Sequence, residues 1–267
     1  PQEADELMKS LKDLKEKGKT IIVITHKLRE VMEVSDSVTV IKQGKVIGNT
    51  LTKDTNEQQL AQMMVGRDVV LTVENTRGET KGRDVVYEAS HLTTLNPFGK
   101  ECVKDVSFTV RRGEVLGIAG VEGNGQSELV KIISGLMEAT EGKVTFKGGD
   151  VTNLWPDRLR KKGLGIIPED RFAQGLCRSM SIGDNCIAGY HGDPEVCRMG
   201  LLNRKNINKK RDKAVKEFDI RVSDVEGDVS SLSGGNAQKI IVARELAAKP
   251  DVLIACQPTR GIDIGSI

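Results

Sequence analysis

The feature that most limits how this chain can fold is an apolar run followed at once by a glycine-rich turn and an amphipathic helix. Residues 114–119 (EVLGIA) predict a buried strand, residues 120–127 (GVEGNGQS) a tight turn, and residues 126–136 a helix. This order is typical of a phosphate-binding loop, in which backbone N–H groups and the N-terminus of the helix bind phosphate oxygens. An ordinary strand-to-helix turn is the alternative, because Gln126 stands where such a loop has lysine.

Strand and helix patterns alternate through most of the chain, which predicts an α/β fold with a mainly parallel sheet. The early patterns are a helix at 3–16, a buried strand at 20–25, a short helix near 28–32, β segments at 37–42 and 45–48, and a helix at 56–65. Residues 67–84 are mostly polar and predict a linker. Strands are predicted at 103–110 and 252–256, and the lysine-rich segment 205–218 predicts a solvated helix.

Composition and charge exclude several classes of protein. The 40 lysines and arginines against 38 acids leave a formal charge of +2, and the aromatic residues are one Trp, two Tyr and five Phe. Neither value favours a nucleic-acid-binding protein. The longest apolar runs have about four residues, too few to cross a membrane. The five cysteines are odd in number and have no metal-ligand spacing, which predicts reduced thiols of a cytosolic protein.

Four further motifs follow one another in a defined order. They are IIPEDR at 166–171, LSGGN at 232–236 before a predicted helix, VLIACQ at 252–257 and RGID at 260–263. With the glycine-rich turn, they resemble the Q-loop, signature sequence, Walker B strand and D-loop of the ATP-binding cassette family. The resemblance implies a P-loop NTPase-like sheet flanked by helices, with an antiparallel β subdomain and a helical subdomain.

The phrases GIAGVEGNGQSEL (117–129), IPEDR (167–171) and QPTRGID (257–263) look like the second cassette of tandem ATPase subunits that serve importers of nucleosides and simple sugars. This resemblance implies ATP and Mg²⁺ as ligands, with Ser127 contacting the metal. The nucleotide-binding residues it implies are Gly120, Glu122, Gly123, Asn124, Gly125, Gln126, Ser127, Glu128, Ser233, Gly234, Gly235 and Asn236, together with Phe98 against the nucleobase. For Phe98, a plain turn aromatic is an equal alternative.

The chain departs from the family pattern at two consecutive positions. Cys256 stands where a magnesium-binding aspartate is expected, and Gln257 stands at the position of the catalytic glutamate. An amide and a neutral thiol cannot act as a general base at neutral pH, and they contribute little to binding Mg²⁺. We therefore expect this half to bind nucleotide without hydrolysing it efficiently.

Residues 1–66 resemble the part of a first cassette that follows its D-loop. His26, in the phrase ITHK, resembles the switch histidine that contacts the terminal phosphate, although a lone histidine without this context is usually structural. The predicted organisation is the end of a first cassette at 1–66, a linker at 67–84, and a second cassette at 85–267 that stops after the D-loop. The signature at 232–236 would complete a site whose phosphate loop lies in the other cassette.

The resemblance implies the ATP-binding subunit of an importer, peripheral to the cytoplasmic face of the membrane. The partners it implies are transmembrane permease subunits and either the missing first cassette or a second copy of the chain, with no nucleic acid. The full-length protein would be an ATPase, with this fragment weak or inactive. Two alternatives stay open: a regulatory nucleotide-binding module without turnover, and a soluble cassette protein unconnected to transport.

Overall fold

The computed structural model describes residues 2–42, 44–66, 82–96, 98–121 and 123–259. These residues fall into two compact units, one that ends at residue 66 and one that begins at residue 82. Most of the predicted linker, residues 67–81, lies outside the described residues. Among the residues described, no helix is both long and apolar enough to cross a membrane.

The first unit contains three helices and a β-hairpin. Its elements are α1 (Gln2–Glu16), α2 (Leu28–Val34), β1 (Ser37–Lys42), β2 (Lys45–Leu51) and α3 (Glu57–Val65). The hairpin is antiparallel, and its core consists of Leu28, Val40, Leu60 and Ala61. Helix α3 begins where the side chain of Asn56 accepts a hydrogen bond from the backbone N–H of Gln59. The predicted helices and β segments of this unit are confirmed.

The predicted buried strand at 20–25 is wrong. These residues have no regular secondary structure, and the side chain of Ile24 is 95% exposed. A strand forms only where another strand accepts and donates its backbone hydrogen bonds. Within this unit no described residue pairs with 20–25, since β1 pairs with β2. The apolar composition of the run therefore did not determine its structure.

The second unit begins with a four-stranded antiparallel sheet. Its strands are β3 (Val85–Leu95), β4 (Glu101–Arg111), β5 (Glu141–Phe146) and β6 (Gly149–Asp150), in the order β4-β3-β5-β6. Helix α4 (Gln126–Ile133) packs Leu129 and Ile132 against the core of this sheet. The hydroxyl of Tyr87 on β3 donates to the carbonyl oxygen of Ile133, at 2.8 Å, which fixes the end of α4.

The rest of the second unit is largely helical. Its elements are α5 (Pro156–Lys161), β7 (Leu164–Ile167), α6 (Ile182–Ile187), β8 (Cys197–Arg198), β9 (Leu201–Leu202), α7 (Arg204–Glu217), α8 (Gly234–Ala247) and β10 (Val252–Ala255). Strands β7 and β10 are parallel, with Val252 opposite Leu164 and Ala255 opposite Ile167. Helix α8 packs Ile240 and Ile241 into a second core with residues of α6. The predicted helix in the lysine-rich segment is confirmed as α7.

The predicted mainly parallel sheet is not what the described residues form. Among them, β7 with β10 is the only parallel pair, and the other pairs are antiparallel. The predicted buried strand at 114–119 is also wrong, because these residues have no regular structure and Val115 is 78% exposed. No described residue of this unit pairs with residues 114–119, so they do not add a third strand to the parallel pair of β7 and β10.

A buried ion-pair network ties α8 to α5 and β7. One carboxylate oxygen of Glu245, which is fully buried, accepts from the guanidinium of Arg160 at 2.7 Å and the hydroxyl of Tyr190 at 2.7 Å. The same oxygen accepts from the backbone N–H of Ile166, at 3.2 Å. The other oxygen accepts from Arg244 at 3.0 Å. Burial alone would raise the pKa of Glu245, but Arg160 and Arg244 outweigh it, so the pKa is lowered and the carboxylate stays charged.

Candidate functional site

The glycine-rich turn has the backbone that its sequence predicts. Gly123 and Gly125 have φ angles of 87° and 92°, values that side chains other than glycine rarely adopt. Gly125 is the N-cap of α4, and a Cβ atom there would lie 2.4 Å from the carbonyl oxygen of Cys102. Only glycine therefore allows β4 to lie this close to the start of α4.

The side chain of Gln126 folds back across this turn. Its amide nitrogen donates to the carbonyl oxygen of Val121, at 3.2 Å, and a Cβ atom on Gly120 would lie 1.9 Å from the same nitrogen. The amide therefore closes the turn internally, and it supplies no positive charge at the start of α4. Glu122 lies outside the described residues.

Three polar side chains meet beside the start of α4: Ser127 and Gln257, which the sequence indicated as site residues, and Glu169. The hydroxyl of Ser127 donates to one carboxylate oxygen of Glu169, at 2.7 Å, and the amide of Gln257 donates to the other, at 3.2 Å. Glu169 follows β7 and Gln257 follows β10, and the carboxyl ends of parallel strands lie at the same edge of a sheet. The parallel pairing of β7 with β10 is therefore what brings Glu169 and Gln257 together.

Cys256 lies next to this cluster as a neutral thiol. Its backbone N–H donates to the carbonyl oxygen of Ile167, at 2.9 Å, which holds it at the end of the parallel pair. Burial, with a smaller contribution from the negative charge of Glu169, raises the pKa of the Cys256 thiol to about 11. The thiolate form, which would bind a metal, is therefore rare at neutral pH.

The donor atoms of the cluster fit Mg²⁺. A carboxylate of Glu169 and the hydroxyl of Ser127 are hard oxygen donors, and Mg²⁺ is usually held by one or two carboxylates with substrate phosphates and water. Across the described ranges, no group of three or more histidine, cysteine, aspartate or glutamate side chains is placed to form an all-protein metal cage. A single carboxylate beside the glycine-rich turn is consistent with a metal that would reach the site together with a nucleotide.

The signature residues form the capped start of α8. Ser233 is the N-cap, and its hydroxyl oxygen accepts from the backbone N–H and the side-chain amide of Asn236. A Cβ atom on Gly234 would lie 3.4 Å from the guanidinium of Arg171. Gly235 continues the first turn of the helix. No hydrogen bond between described residues joins this group to the glycine-rich turn, so the structure presents two separate sets of predicted site residues in the second unit.

The remaining predicted site residues occupy other places. Phe98 is almost fully exposed in the loop between β3 and β4, where its backbone N–H donates to the side chain of Asn96 at 2.9 Å. Glu128 lies in the first turn of α4. His26 is exposed in the first unit, directly before α2. The predicted D-loop at 260–263 lies outside the described residues.

A family comparison supports the interpretation of the motifs. The family model described as ABC transporter matches residues 103–260, which is more than half of the chain. The chain belongs to the ABC transporter family. The resemblance that the motifs indicated is confirmed, and the members of this family are ATP-binding cassettes.

Curated relatives match along the whole chain. It is 42% identical over 267 residues to the nucleoside import ATP-binding protein NupA of Lactococcus lactis subsp. cremoris, covering all of this chain and 52% of NupA. It is 42% identical over 267 residues to the guanosine import ATP-binding protein NupO of Bacillus subtilis, with the same coverage. The glucose import ATP-binding protein TsgD13 of Haloferax volcanii is 41% identical over 269 residues and is 48% covered. The chain spans about half the length of these relatives.

Solved structures agree on the fold. A dimeric ATP-binding cassette in a post-hydrolysis state, bound to ADP and Pi, has a TM-score of 0.57 and 24% identity, covering 67% of this chain and 78% of that one. A nucleotide-free ATP-binding cassette from an ABC transporter has a TM-score of 0.54 and 22% identity, covering 66% of this chain and 70% of that one. These similarities show the cassette fold.

Glu169 was not among the site residues that the sequence indicated, although residues 166–171 resemble the Q-loop. The available signal was the apolar segment 164–167, which precedes Glu169 as the predicted strand at 252–256 precedes Gln257. Two parallel strands here bring both side chains to one edge of the sheet. The contact of Glu169 with Ser127 could not be foreseen, because it depends on where α4 lies against β7.

Proposed function

We propose that this chain is part of the ATP-binding subunit of an importer for nucleosides or simple sugars, and that its own nucleotide site binds ATP without efficient turnover. The observation that carries the proposal is the cluster of Ser127, Glu169 and Gln257 beside a phosphate-loop backbone, with neutral Cys256 behind it. Nucleosides are favoured because NupA and NupO, at 42% identity, are nucleoside and guanosine import proteins. TsgD13 makes a sugar the alternative.

We propose the following organisation for the chain. Residues 1–66 are the end of a first cassette, with His26 as its switch histidine, and residues 85–267 are most of a second cassette. The signature at 232–236 binds a nucleotide held by the phosphate loop of the first cassette or of a second copy. The subunit lies against permease subunits at the cytoplasmic face of the membrane. Support comes from the family match and from relatives that are named as import proteins.

In the proposed site, the turn and α4 bind the phosphate groups through backbone N–H groups. Ser127 and Glu169 hold Mg²⁺, which would neutralise phosphate charge when it is bound. Gln257 donates a hydrogen bond to Glu169 and, as an amide, cannot take a proton from water. Glu169 is assigned to the metal and Gln257 is an amide, so the described residues of the site offer positioning for the nucleotide without a separate general base. This favours the regulatory interpretation, in which nucleotide holds two cassettes together.

Binding and turnover of ATP by the whole chain test this proposal. We expect fluorescent ATP to bind in the presence of Mg²⁺, and we expect phosphate release no faster than that of a Ser127→Ala variant, because Gln257 cannot take a proton from water and Glu169 is assigned to the metal. A chain that fails to bind ATP would contradict the proposed site. Rapid phosphate release that depends on Ser127 would contradict the absence of turnover. Co-purification with a multi-spanning permease separates an importer subunit from a soluble cassette protein.

Replacing Gln126 with lysine should strengthen ATP binding. A unit-charge pair at about 4 Å is worth about 4 kcal/mol at an effective dielectric constant of about 20, and solvent screening at this half-exposed position reduces it. We expect the affinity for ATP to rise at least about tenfold, measured by isothermal titration calorimetry. Gln126→Met is the matched control, since it removes the amide contact with Val121 without adding charge. An equal change in both variants would exclude the charge as the cause.

A further inference from the structure

The β8–β9 hairpin presents an apolar tip to solvent. Cys197 pairs with Leu202 and Arg198 with Leu201, so the loop has two residues, Met199 and Gly200. Met199 is 95% exposed and Leu201 is 77% exposed. Within the described part of the unit, neither side chain contributes to a core.

Met199 is unfavourable in this turn on local grounds. The φ angles of Met199 and Gly200 are 52° and 79°, so both central residues have the positive φ of a type I′ turn. Asparagine, aspartate and glycine are preferred at such positions, because a bulky side chain is strained there. Burial does not compensate for this strain, since the side chain is exposed. A contact outside this chain would account for methionine at the tip.

A row of lysines lies on α7, the helix that follows the hairpin in the chain. Helix α7 begins directly after β9 and the capping residue, and Lys205, Lys209 and Lys216 share the helical face opposite buried Ile207. These three lysines and Arg198 are exposed, and they make no ion pair with any residue that the structure describes.

The acidic side chains near this face already form ion pairs with other residues. Lys210 pairs with Asp193 and Glu195, at 3.7 and 2.8 Å. Arg211 pairs with Asp212, at 2.9 Å. Arg211 also pairs with Glu226, so two cations meet four carboxylates here. The four cations without an ion pair among the described residues, Arg198, Lys205, Lys209 and Lys216, outnumber the two carboxylates in excess, so the surface keeps a net positive charge.

We propose that the β8–β9 tip and the lysine face of α7 form a docking surface for an anionic phospholipid membrane. Met199 and Leu201 would enter the boundary between headgroups and acyl chains, while Arg198, Lys205 and Lys209 would contact lipid phosphates. Apolar side chains beside a basic helical face are the combination that binds such membranes. The inference does not rest on nucleotide binding by the chain.

The chemistry of this surface favours a membrane over a macromolecule. Protein interfaces are enriched in aromatic residues, methionine and arginine and depleted in lysine; this surface has Met199 and Arg198 but no aromatic residue, and the cations of α7 on this face are lysines. Proteins that bind single-stranded nucleic acid use aromatic side chains to stack bases, and neither the hairpin nor α7 contains an aromatic residue.

Co-sedimentation of the whole chain with vesicles tests this proposal. The probes are vesicles of phosphatidylcholine alone and vesicles with about 30% phosphatidylglycerol, where each basic residue near the surface should contribute about fivefold to binding. We expect the chain to bind the anionic vesicles, and the Lys205→Gln, Lys209→Gln double variant to bind them about 25-fold more weakly. Met199→Asn with Leu201→Thr should weaken binding at least about tenfold while preserving the hairpin, because asparagine suits a type I′ turn.

Matched controls separate this surface from the general charge and exposed apolar residues of the chain. Lys100→Gln with Lys162→Gln removes the same charge from exposed lysines elsewhere, and Val46→Thr changes an exposed side chain on β2. These controls should bind anionic vesicles as the unaltered chain does. The proposal is overturned if the unaltered chain does not bind anionic vesicles, which would indicate a protein partner instead, or if the controls lose as much binding as the two test variants.

Discussion

Replacing Glu245 with alanine is expected to lower the free energy of unfolding of the second unit by about 3–5 kcal/mol. The substitution removes the carboxylate that faces Arg160, Arg244 and Tyr190, and it leaves two guanidinium groups in or near the interior without a counter-charge. Among the described residues, Arg244 would keep the carbonyl oxygens of Gly175 and Asn185 as its acceptors. Removing one partner of a buried pair is costly because the remaining charge stays desolvated.

Urea unfolding followed by the fluorescence of Trp155 measures this effect. Trp155 is the single tryptophan and precedes α5, the helix that carries Arg160, so its signal reports on the second unit. Tyr190→Phe removes one hydrogen bond of the network and should cost about 1 kcal/mol. Glu217→Ala, at an exposed ion pair with Lys213, should change stability by less than about 0.5 kcal/mol. If Glu245→Ala costs no more than Glu217→Ala, the network does not stabilise the fold.

The carboxylate of Glu245 should also make the stability of the second unit depend on pH. Because the folded-state pKa of Glu245 lies below its ordinary value of 4.5, its stabilisation is present above that value and is lost as the pH falls through the lower folded-state pKa. The Glu245→Gln variant lacks this titration, so the difference in stability between the two proteins should shrink as the medium becomes more acidic.

Replacing Glu169 with alanine is expected to remove most of the effect of Mg²⁺ on ATP binding. Glu169 is the carboxylate hydrogen-bonded to Ser127 in the proposed site, and Cys256, with a pKa of about 11, supplies no charged ligand in its place. Even groups that only support metal ligands cost 10–100-fold in metal affinity when they are replaced, so we expect the ratio of ATP dissociation constants without and with Mg²⁺ to fall by at least about tenfold.

Isothermal titration of ATP in Mg²⁺ or in excess chelator gives this ratio directly. Glu169→Gln keeps the size of the side chain and an oxygen that can accept from Ser127, but it lacks the charge. We therefore expect the glutamine variant to lose the Mg²⁺ effect while binding metal-free ATP as the unaltered chain does. An unchanged ratio in both variants would show that the metal is held by other groups.

Local sequence patterns were sufficient to predict the structure where it depends on neighbouring residues in the chain. Helix α1 follows apolar spacing, α7 and α8 begin at the capping residues Asn203 and Ser233, and the turn before α4 needs glycine for its positive φ angles. The motifs at 166–171, 232–236 and 252–257 were sufficient to identify the family, since their residue types and order are read without knowing the fold.

Sequence patterns gave wrong strand predictions where the structure depends on a partner strand. Residues 20–25 and 114–119 each contain four apolar residues, the same number as β10. Strand β10 forms because β7 pairs with it, whereas the other two runs have no described strand beside them within their own units. An apolar run indicates that a segment can be buried. Whether the segment becomes part of a sheet depends on a neighbouring strand with which its backbone can form hydrogen bonds.

The sequence by itself determined the family of this protein and the glycine-rich turn before α4, and it has Cys256 and Gln257 where the family resemblance implies acidic residues. Only the tertiary structure decided that Glu169 meets Ser127 and Gln257 and that Glu245 pairs with Arg160 in the interior. The reason is physical: motifs and capping follow from residues adjacent in the chain. Contacts between residues 42 to 88 positions apart exist only once strands and helices have packed.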